Sequence, residues 1–234
     1  MEAMEQAGEQ GILTPKGLTV LHLFAKVDGP VDRSIVEQAA KEAVAEGNQL
    51  VSAAILGHKA DLAFMLLGKD PWSQRRFQSR IQCAGLAVSE SFVSMTEVSE
   101  YAGGLSKAMR QARLYPELPP GELRAFCFYP MSKRRNPEQN WYALSYEDRE
   151  QLMRQHGKSG RAFAGKILQV VTASTGLDDW EWGVTLFGRD LGDLKDCVYT
   201  MRFDEGSTHY AEFGPFYTGM VADLDHVLNE LVGS

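Results

Sequence analysis

From Gly17 the chain switches repeatedly between two hydrophobic periods. GLTVLHLFAKV reads as a strand, apolar and rich in β-branched and aromatic residues, and VDRSIVEQAAKEAVAEG reads as a helix that stops at Gly47. Two more strand-like runs follow, QLVSAAILG and DLAFMLLGKD, separated by a turn at His58-Lys59-Ala60. Pro71 opens a helix over PWSQRRFQSRIQCAG, where its missing amide hydrogen is no loss because the first helical donors have no intrahelical acceptor. LAVSESFVSMTEVSEY supplies a fourth strand. The order strand, helix, strand, strand, helix, strand is the split βαβ pattern of ferredoxin-like domains.

After the breaker-rich connector LYPELPPGE the pattern restarts. LRAFCFYPMSK reads as a strand, YEDREQLMRQH as a helix, and GKILQVVTASTGL and WEWGVTLFG as strands, followed by a helix over LGDLKDCVYTM and a last strand near HYAEFGPFYTG. The repeated order predicts an α+β fold of two ferredoxin-like halves, residues 1–113 and 123–234, joined by a connector at 114–122. Helices covering one face of each antiparallel sheet leave the other face for the sister sheet or for a pocket. The second half is expected to hold the pocket, because it carries most of the aromatic, charged and histidine residues that packing alone does not require.

Composition narrows the function classes. The 234 residues are 44% hydrophobic and 24% charged, an ordinary globular balance. No run approaches the length of a bilayer span, and residues 1–10 lack the basic and apolar regions of a leader, so a cytoplasmic location and no membrane contact are expected. A net charge of −7 without a Lys/Arg stripe argues against nucleic acid. Cys83, Cys127 and Cys197 are odd in number, far apart and without a CxxC pair, which argues against a disulfide frame, structural zinc or an iron–sulfur cluster, and points to reduced, mostly buried thiols.

Candidate chemistry gathers in the second half. Ser145 and Asp148 mark the start of a helix whose His156 follows Leu152 by four and Met153 by three, on the apolar stripe. A neutral imidazole there can ligate haem iron, or it can serve as a favourable charge at a helix C-terminus, since Gly157 follows. Tyr129 stands at a strand end before the basic run Lys133-Arg134-Arg135, as a packing residue or as a phenol among cations that would meet carboxylates. Gln169 lies in the apolar strand ILQVV, where a lone amide must find a partner or face a polar pocket. Met201-Arg202-Phe203-Asp204-Glu205-Gly206-Ser207 offers an arginine, two carboxylates and a hydroxyl, as an acidic-ligand site or an ordinary helix terminus.

The strings FYPMSKRR (128–135), NWYALS (140–145), RQHGKSGRAFAGKILQ (154–169), GLDDWEWGVTLF (176–187) and YTMRFDEGSTHYAEFGPFYTG (199–219) resemble the coproheme decarboxylases, or hydrogen-peroxide-dependent haem synthases, of the chlorite-dismutase superfamily. VSMTEVSEY and ARLYPELP extend the likeness loosely into the first half. The resemblance implies a dimeric α+β barrel subunit, a homopentamer and transient contact with the iron-inserting ferrochelatase. It also implies oxidative decarboxylation of two propionates of iron coproporphyrin III by hydrogen peroxide, giving haem b through a mono-vinyl intermediate. By position, His156 matches the iron ligand, Tyr129 the redox-active tyrosine, Lys133, Arg202 and Ser207 the propionate-holding residues, and Met131 a residue lining the substrate. Gln169 stands where chlorite-decomposing relatives are expected to carry an arginine, and a neutral amide there disfavours chlorite chemistry. No histidine occurs in 105–118, where some relatives have a distal base. Glu205 is a candidate carboxylate behind His156. A non-catalytic haem carrier or regulator, and a chlorite-degrading or peroxidase-like relative, are the alternative readings.

Overall fold

The computed structural model describes residues 13–232; the stretch 1–10 read above for a leader lies outside them. The first half is β1 (Lys16–Lys26), α1 (Arg33–Ala45), β2 (Gln49–Ile55), β3 (Leu62–Gly68), α2 (Pro71–Cys83) and β4 (Ala87–Glu97). Asp32 caps α1 by accepting from the Ile35 amide, and Asp70 caps α2 by accepting from the Trp72 amide with Pro71 in the first position. After α3 (Lys107–Leu114) the second half runs β5 (Ala125–Lys133), a small hairpin of β6 (Arg135–Asn136) and β7 (Gln139–Asn140), a 3₁₀ turn at Trp141–Ala143, α4 (Tyr146–Arg161), β8 (Ile167–Ala173) and β9 (Trp182–Gly188). It ends with α5 (Leu191–Met201), α6 (Glu205–Tyr210), β10 (Ala211–Phe213), β11 (Tyr217–Val221) and α7 (Leu224–Val232).

The first half pairs in the order β2-β3-β1-β4 and the second as β8-β9-β5-β11, the same arrangement twice. β11 pairs with β2 and β4 pairs with β8, both antiparallel, so the two sheets close into one barrel. Closure satisfies the edge strands that each half alone would leave open. β10 and β11 both pair with β5, one beyond the other, and act as a single strand broken at Gly214–Pro215.

Alternation along each strand separates two cores. Val20, Phe24, Phe92, Phe126, Phe128, Phe187 and Tyr217 fill the barrel interior. Leu21, Leu23, Phe64 and Leu66 face outward under α1, α2 and α7, and Ala125, Cys127, Tyr129, Val184 and Leu186 face outward on the other half. Of the three thiols, Cys127 and Cys197 are buried and Cys83 is exposed. Among the described residues no helix is long and apolar enough to cross a membrane.

Three local expectations change. The helix carrying His156 runs on to Arg161, because Gly157 keeps a helical backbone and the next glycine in the left-handed region is Gly165, at φ 79°. The fourth strand ends at Glu97, and the run HYAEFGPFYTG splits between α6, β10 and β11.

His22 sits in the barrel interior with no exposed surface, its Nε2 2.9 Å from Thr185 Oγ1 and its ring 4.4 Å from that of Phe128. Burial pushes its pKa down to about 3. The folded state therefore holds His22 neutral while the unfolded chain binds a proton below pH ~6.5, so its contribution is complete above that value and is lost on acidification. Unfolding free energy is expected to fall by ~2 kcal/mol between pH 7 and pH 5, a slope that His22→Asn largely removes. Denaturant titrations of both proteins check this, and equal slopes contradict it.

Candidate functional site

The two halves share an element order but differ in how their first helix packs. α1 buries Val36, Ala39, Ala40 and Ala43, whereas α4 buries none of its 16 residues. It rests on α5 and α6 and has little contact with the strands beneath. An amphipathic helix normally draws most of its stability from the face it buries. On that face Leu152, Met153 and His156 are half-buried, and of the sheet's outward face β8 is open, with Gln169 exposed and Val171 43% exposed, while Val184 and Leu186 on β9 are buried.

The outward positions of β5 recur every second residue, so Tyr129, Met131 and Lys133 line up on the outward side of the barrel, Tyr129 buried and Met131 and Lys133 half-buried. Register extends the row across the sheet. Tyr129 lies opposite Val184, which lies opposite Val171; Cys127 lies opposite Leu186, which lies opposite Gln169. Phenol and amide thus share one face two strands apart, a lateral separation of about 10 Å.

Tyr129 is 7% exposed, and its ring stacks on Phe216 at 4.5 Å and 23°. Burial raises its pKa, which keeps the phenol protonated. Its hydroxyl has no hydrogen-bond partner among the described residues. Lys133 places its ammonium 3.9 Å over the Trp141 ring. Burial lowers its pKa to about 8, against the pull of the Asp204 and Glu181 carboxylates. Its backbone amide donates to Glu181 Oε2 at 2.7 Å, which fixes the end of β5.

Arg202 caps α5, and its guanidinium lies 3.6 Å over Phe213 and 5.9 Å from the Phe216 ring. Neither Lys133 nor Arg202 is ion-paired among the described residues. Arg202 and Ser207 line an open cleft of about 700 Å³ with Arg134, Trp180, Phe213 and Phe216. His156, Tyr129, Lys133 and Gln169 are not among its walls, though Tyr129 stacks on Phe216, which is.

His156 Nδ1 lies 3.0 Å from Asp204 Oδ2. The carboxylate behind the imidazole is therefore Asp204 and not Glu205, which stands one residue further on, in the first turn of α6. Asp204 is the N-cap of α6: Oδ1 accepts from the Ser207 amide at 2.9 Å and Oδ2 from the Ser207 hydroxyl at 3.1 Å. Its side chain is only 4% exposed. Burial pushes its carboxyl upward, but the bonds from His156 and Ser207 outweigh that and hold it below the usual range. An ionised acceptor at Nδ1 places the ring hydrogen there and leaves the Nε2 lone pair directed away, the arrangement in which a histidine binds a metal. Ser207 spends its hydroxyl hydrogen inside this network while its residue still lines the cleft beside Arg202. Asp204 is the position that sequence reasoning missed; its signal is the spacing Asp204-x-x-Ser207 of a helix N-cap.

A closed antiparallel barrel of two ferredoxin-like halves, with one helix lifted off the sheet, defines the structural class. A family model described as Chlorite dismutase matches residues 32–222, and the chain belongs to that family. It is 39% identical over 243 aligned positions to a coproheme decarboxylase of Staphylococcus carnosus, covering 93% of this chain and 95% of that one. A protein of Natronomonas pharaonis, provisionally named heme-binding, is also 39% identical, over 88% of this chain; the chain spans 39% of that relative's length. Among solved structures, one described as a novel heme-binding protein from Thermus thermophilus superposes with a TM-score of 0.84 at 35% identity, covering 95% of this chain and 97% of that one. A mutant chlorite dismutase from Candidatus Nitrospira defluvii reaches a TM-score of 0.71 at 19% identity over 93% of this chain and 97% of its own, a likeness of fold.

Replacing Asp204 by alanine removes both the cap of α6 and the acceptor at Nδ1. The expected result is a loss of ~1 kcal/mol in stability and ring ¹⁵N shifts of His156 that move toward the Nε2–H tautomer. Unchanged ring shifts would contradict the role given to Asp204.

Proposed function

We propose that the chain binds iron coproporphyrin III between α4 and the β5–β9–β8 sheet and, with hydrogen peroxide, converts two of its propionates to vinyls, giving haem b through a mono-vinyl intermediate. The observation that carries this reading is the joint placement of an imidazole oriented by a buried carboxylate, a buried tyrosine whose hydroxyl has no hydrogen-bond partner among the described residues, and two cations that form no ion pair among them.

These residues fit the group. Among the described residues no three His, Cys, Asp or Glu side chains converge on one point, so iron here would rest on a macrocycle and a single imidazole, His156, through Nε2. Lys133 and Arg202, each spread over an aromatic ring and lacking, among the described residues, an acidic neighbour in bonding distance, are suited to propionates. Each such charge-assisted bond is worth roughly 1.5–3 kcal/mol, enough to select which edge of the substrate faces Tyr129. Ser207 would contribute to the same end of the substrate by turning its hydroxyl hydrogen from Asp204 to a propionate, and Met131, between Tyr129 and Lys133 on β5, would line it.

Each conversion releases carbon dioxide and removes one proton and two electrons from a propionate carboxylate. One peroxide takes up those electrons with two protons, the second from solvent, and leaves as two waters. The iron porphyrin supplies the oxidising power of that exchange, while the polypeptide supplies aim. Tyr129 gives up one electron and its phenolic proton, then recovers a hydrogen atom from the β-carbon of the propionate lying against it. Protonation of the phenol at rest makes it a hydrogen-atom carrier and not a phenolate base. Its hydroxyl has no hydrogen-bond partner among the described residues, so it is available to a substrate propionate. Gln169, a neutral amide on the same sheet face, gives no cation to steer an anionic oxidant such as chlorite, which favours peroxide over chlorite as co-substrate. A homopentamer and a transient contact with ferrochelatase belong to the same reading.

Purified protein mixed with iron coproporphyrin III and peroxide is expected to give products lighter by one and then two formic-acid equivalents by mass. Tyr129→Phe is expected to bind the porphyrin with wild-type affinity and release no carbon dioxide. Undiminished turnover in that variant would remove the phenol from the mechanism, and tight binding without turnover in the wild type would favour a carrier.

A further inference from the structure

Tyr129 is positioned by more than its own strand. Phe216 stacks on its ring and Phe213 meets it at 5.8 Å and 59°, and the two flank the break between β10 and β11. That break is pressed against the strand carrying Tyr129: a Cβ on Gly214 would stand 2.7 Å from Pro130 Cγ and 2.9 Å from Trp180 Cζ2, so only glycine fits, and the Gly214 amide donates to the Pro130 carbonyl at 2.9 Å. From the other side comes Lys59, in the exposed β2–β3 turn of the first half. Its ammonium donates to the Phe216 carbonyl at 2.7 Å and lies 5.7 Å from the Tyr217 ring centre. The turn is itself anchored, since the Leu56 amide donates to the Thr218 carbonyl at 2.8 Å and Ser89 Oγ to the Lys59 carbonyl at 3.2 Å. Lys59 has no carboxylate ion pair among the described residues, and the Phe216 carbonyl is its hydrogen-bond acceptor.

We propose that Lys59 is a positioning residue: by gripping the Phe216 carbonyl it holds the Phe216 ring flat on Tyr129, and so sets the angle at which the phenol meets the substrate side chain. This inference rests on the part given to Tyr129 above. It assigns the first half, which carries none of the candidate site residues, a share in the chemistry of the second. The effect of such a grip on rate is steep, because hydrogen transfer requires a near-contact geometry, and a misplacement of about 1 Å can cost about a hundredfold.

The test begins without porphyrin. In protein labelled with 3-fluorotyrosine, the Tyr129 resonance is the one lost in Tyr129→Phe. Lys59→Met, a change at an exposed turn, is expected to shift and broaden that resonance, Phe216→Leu to do the same, and Lys59→Arg to restore the wild-type line. With iron coproporphyrin and peroxide, Lys59→Met is expected to lower kcat by ~3–10-fold while KM stays within about twofold. A wild-type fluorine line in Lys59→Met overturns the proposal, and so does a shifted line with unchanged kcat. If Tyr129→Phe still decarboxylates, the radical reading fails separately, while the fluorine spectra still decide whether Lys59 holds the ring.

Discussion

A helix of 16 residues that buries none of them against the sheet below must be held by other means, and the geometry of the candidate site follows from how α4 is held. At its N-terminus Ser145 caps it through the Asp148 amide, and the side chains of its first turn reach outward: Arg149 Nε donates to the Tyr101 hydroxyl at 2.7 Å and Tyr146 to the Glu100 carbonyl at 3.3 Å. Toward its C-terminal half the His156–Asp204 bond ties it to the cap of α6. Its flanks pack on α5 and α6. Held in this way, the helix keeps its apolar stripe only half-buried, while on the outward face of the sheet β8 is open at Gln169 and Val171 and β9 is covered at Val184 and Leu186; one residue of the stripe is an imidazole whose Nε2 has no hydrogen-bond partner among the described residues. The same bond that supports the helix therefore also orients its candidate ligand.

The duplication clarifies why only one half carries the site. In the first half the equivalent space is filled by small side chains, Ala39, Ala40 and Ala43, that let α1 settle on the sheet. In the second, the corresponding helix is strongly polar, YEDREQLMRQHGKSGR, and has too few apolar residues to do so. Electrostatics follow the same division. The chain has an excess of acidic residues, yet among the described residues Lys133 and Arg202 have no carboxylate at bonding distance and spread over Trp141 and Phe213. Aromatic faces support a cation without neutralising it, so both charges remain available to an anionic ligand.

Most of the barrel was legible in the sequence because period-two strands and period-3.6 helices alternate with clear breakers, and both halves repeat the same order. The glycine after His156 misled, since a glycine ends a helix only where the backbone turns left-handed, and that occurs at Gly165. Strand alternation placed Tyr129, Met131 and Lys133 on one face, and Gln169 was readable as an amide in need of a polar setting. The partner of His156 was misread by one residue: Glu205 and Asp204 are chemically alike, and only the cap geometry at Ser207 separates them. Trp141 beneath Lys133, Phe216 on Tyr129 and Lys59 behind Phe216 were not legible, because each contact joins segments separated in sequence and brought together only by the folded barrel.

In the proposed function His156 would bind the iron of a porphyrin through Nε2. EPR of the protein loaded with iron coproporphyrin, compared with that of His156→Ala before and after addition of imidazole, tests it most directly. The variant is expected to lose the nitrogen-ligand signature, and free imidazole to restore it. An EPR spectrum identical in both proteins would contradict this role of His156.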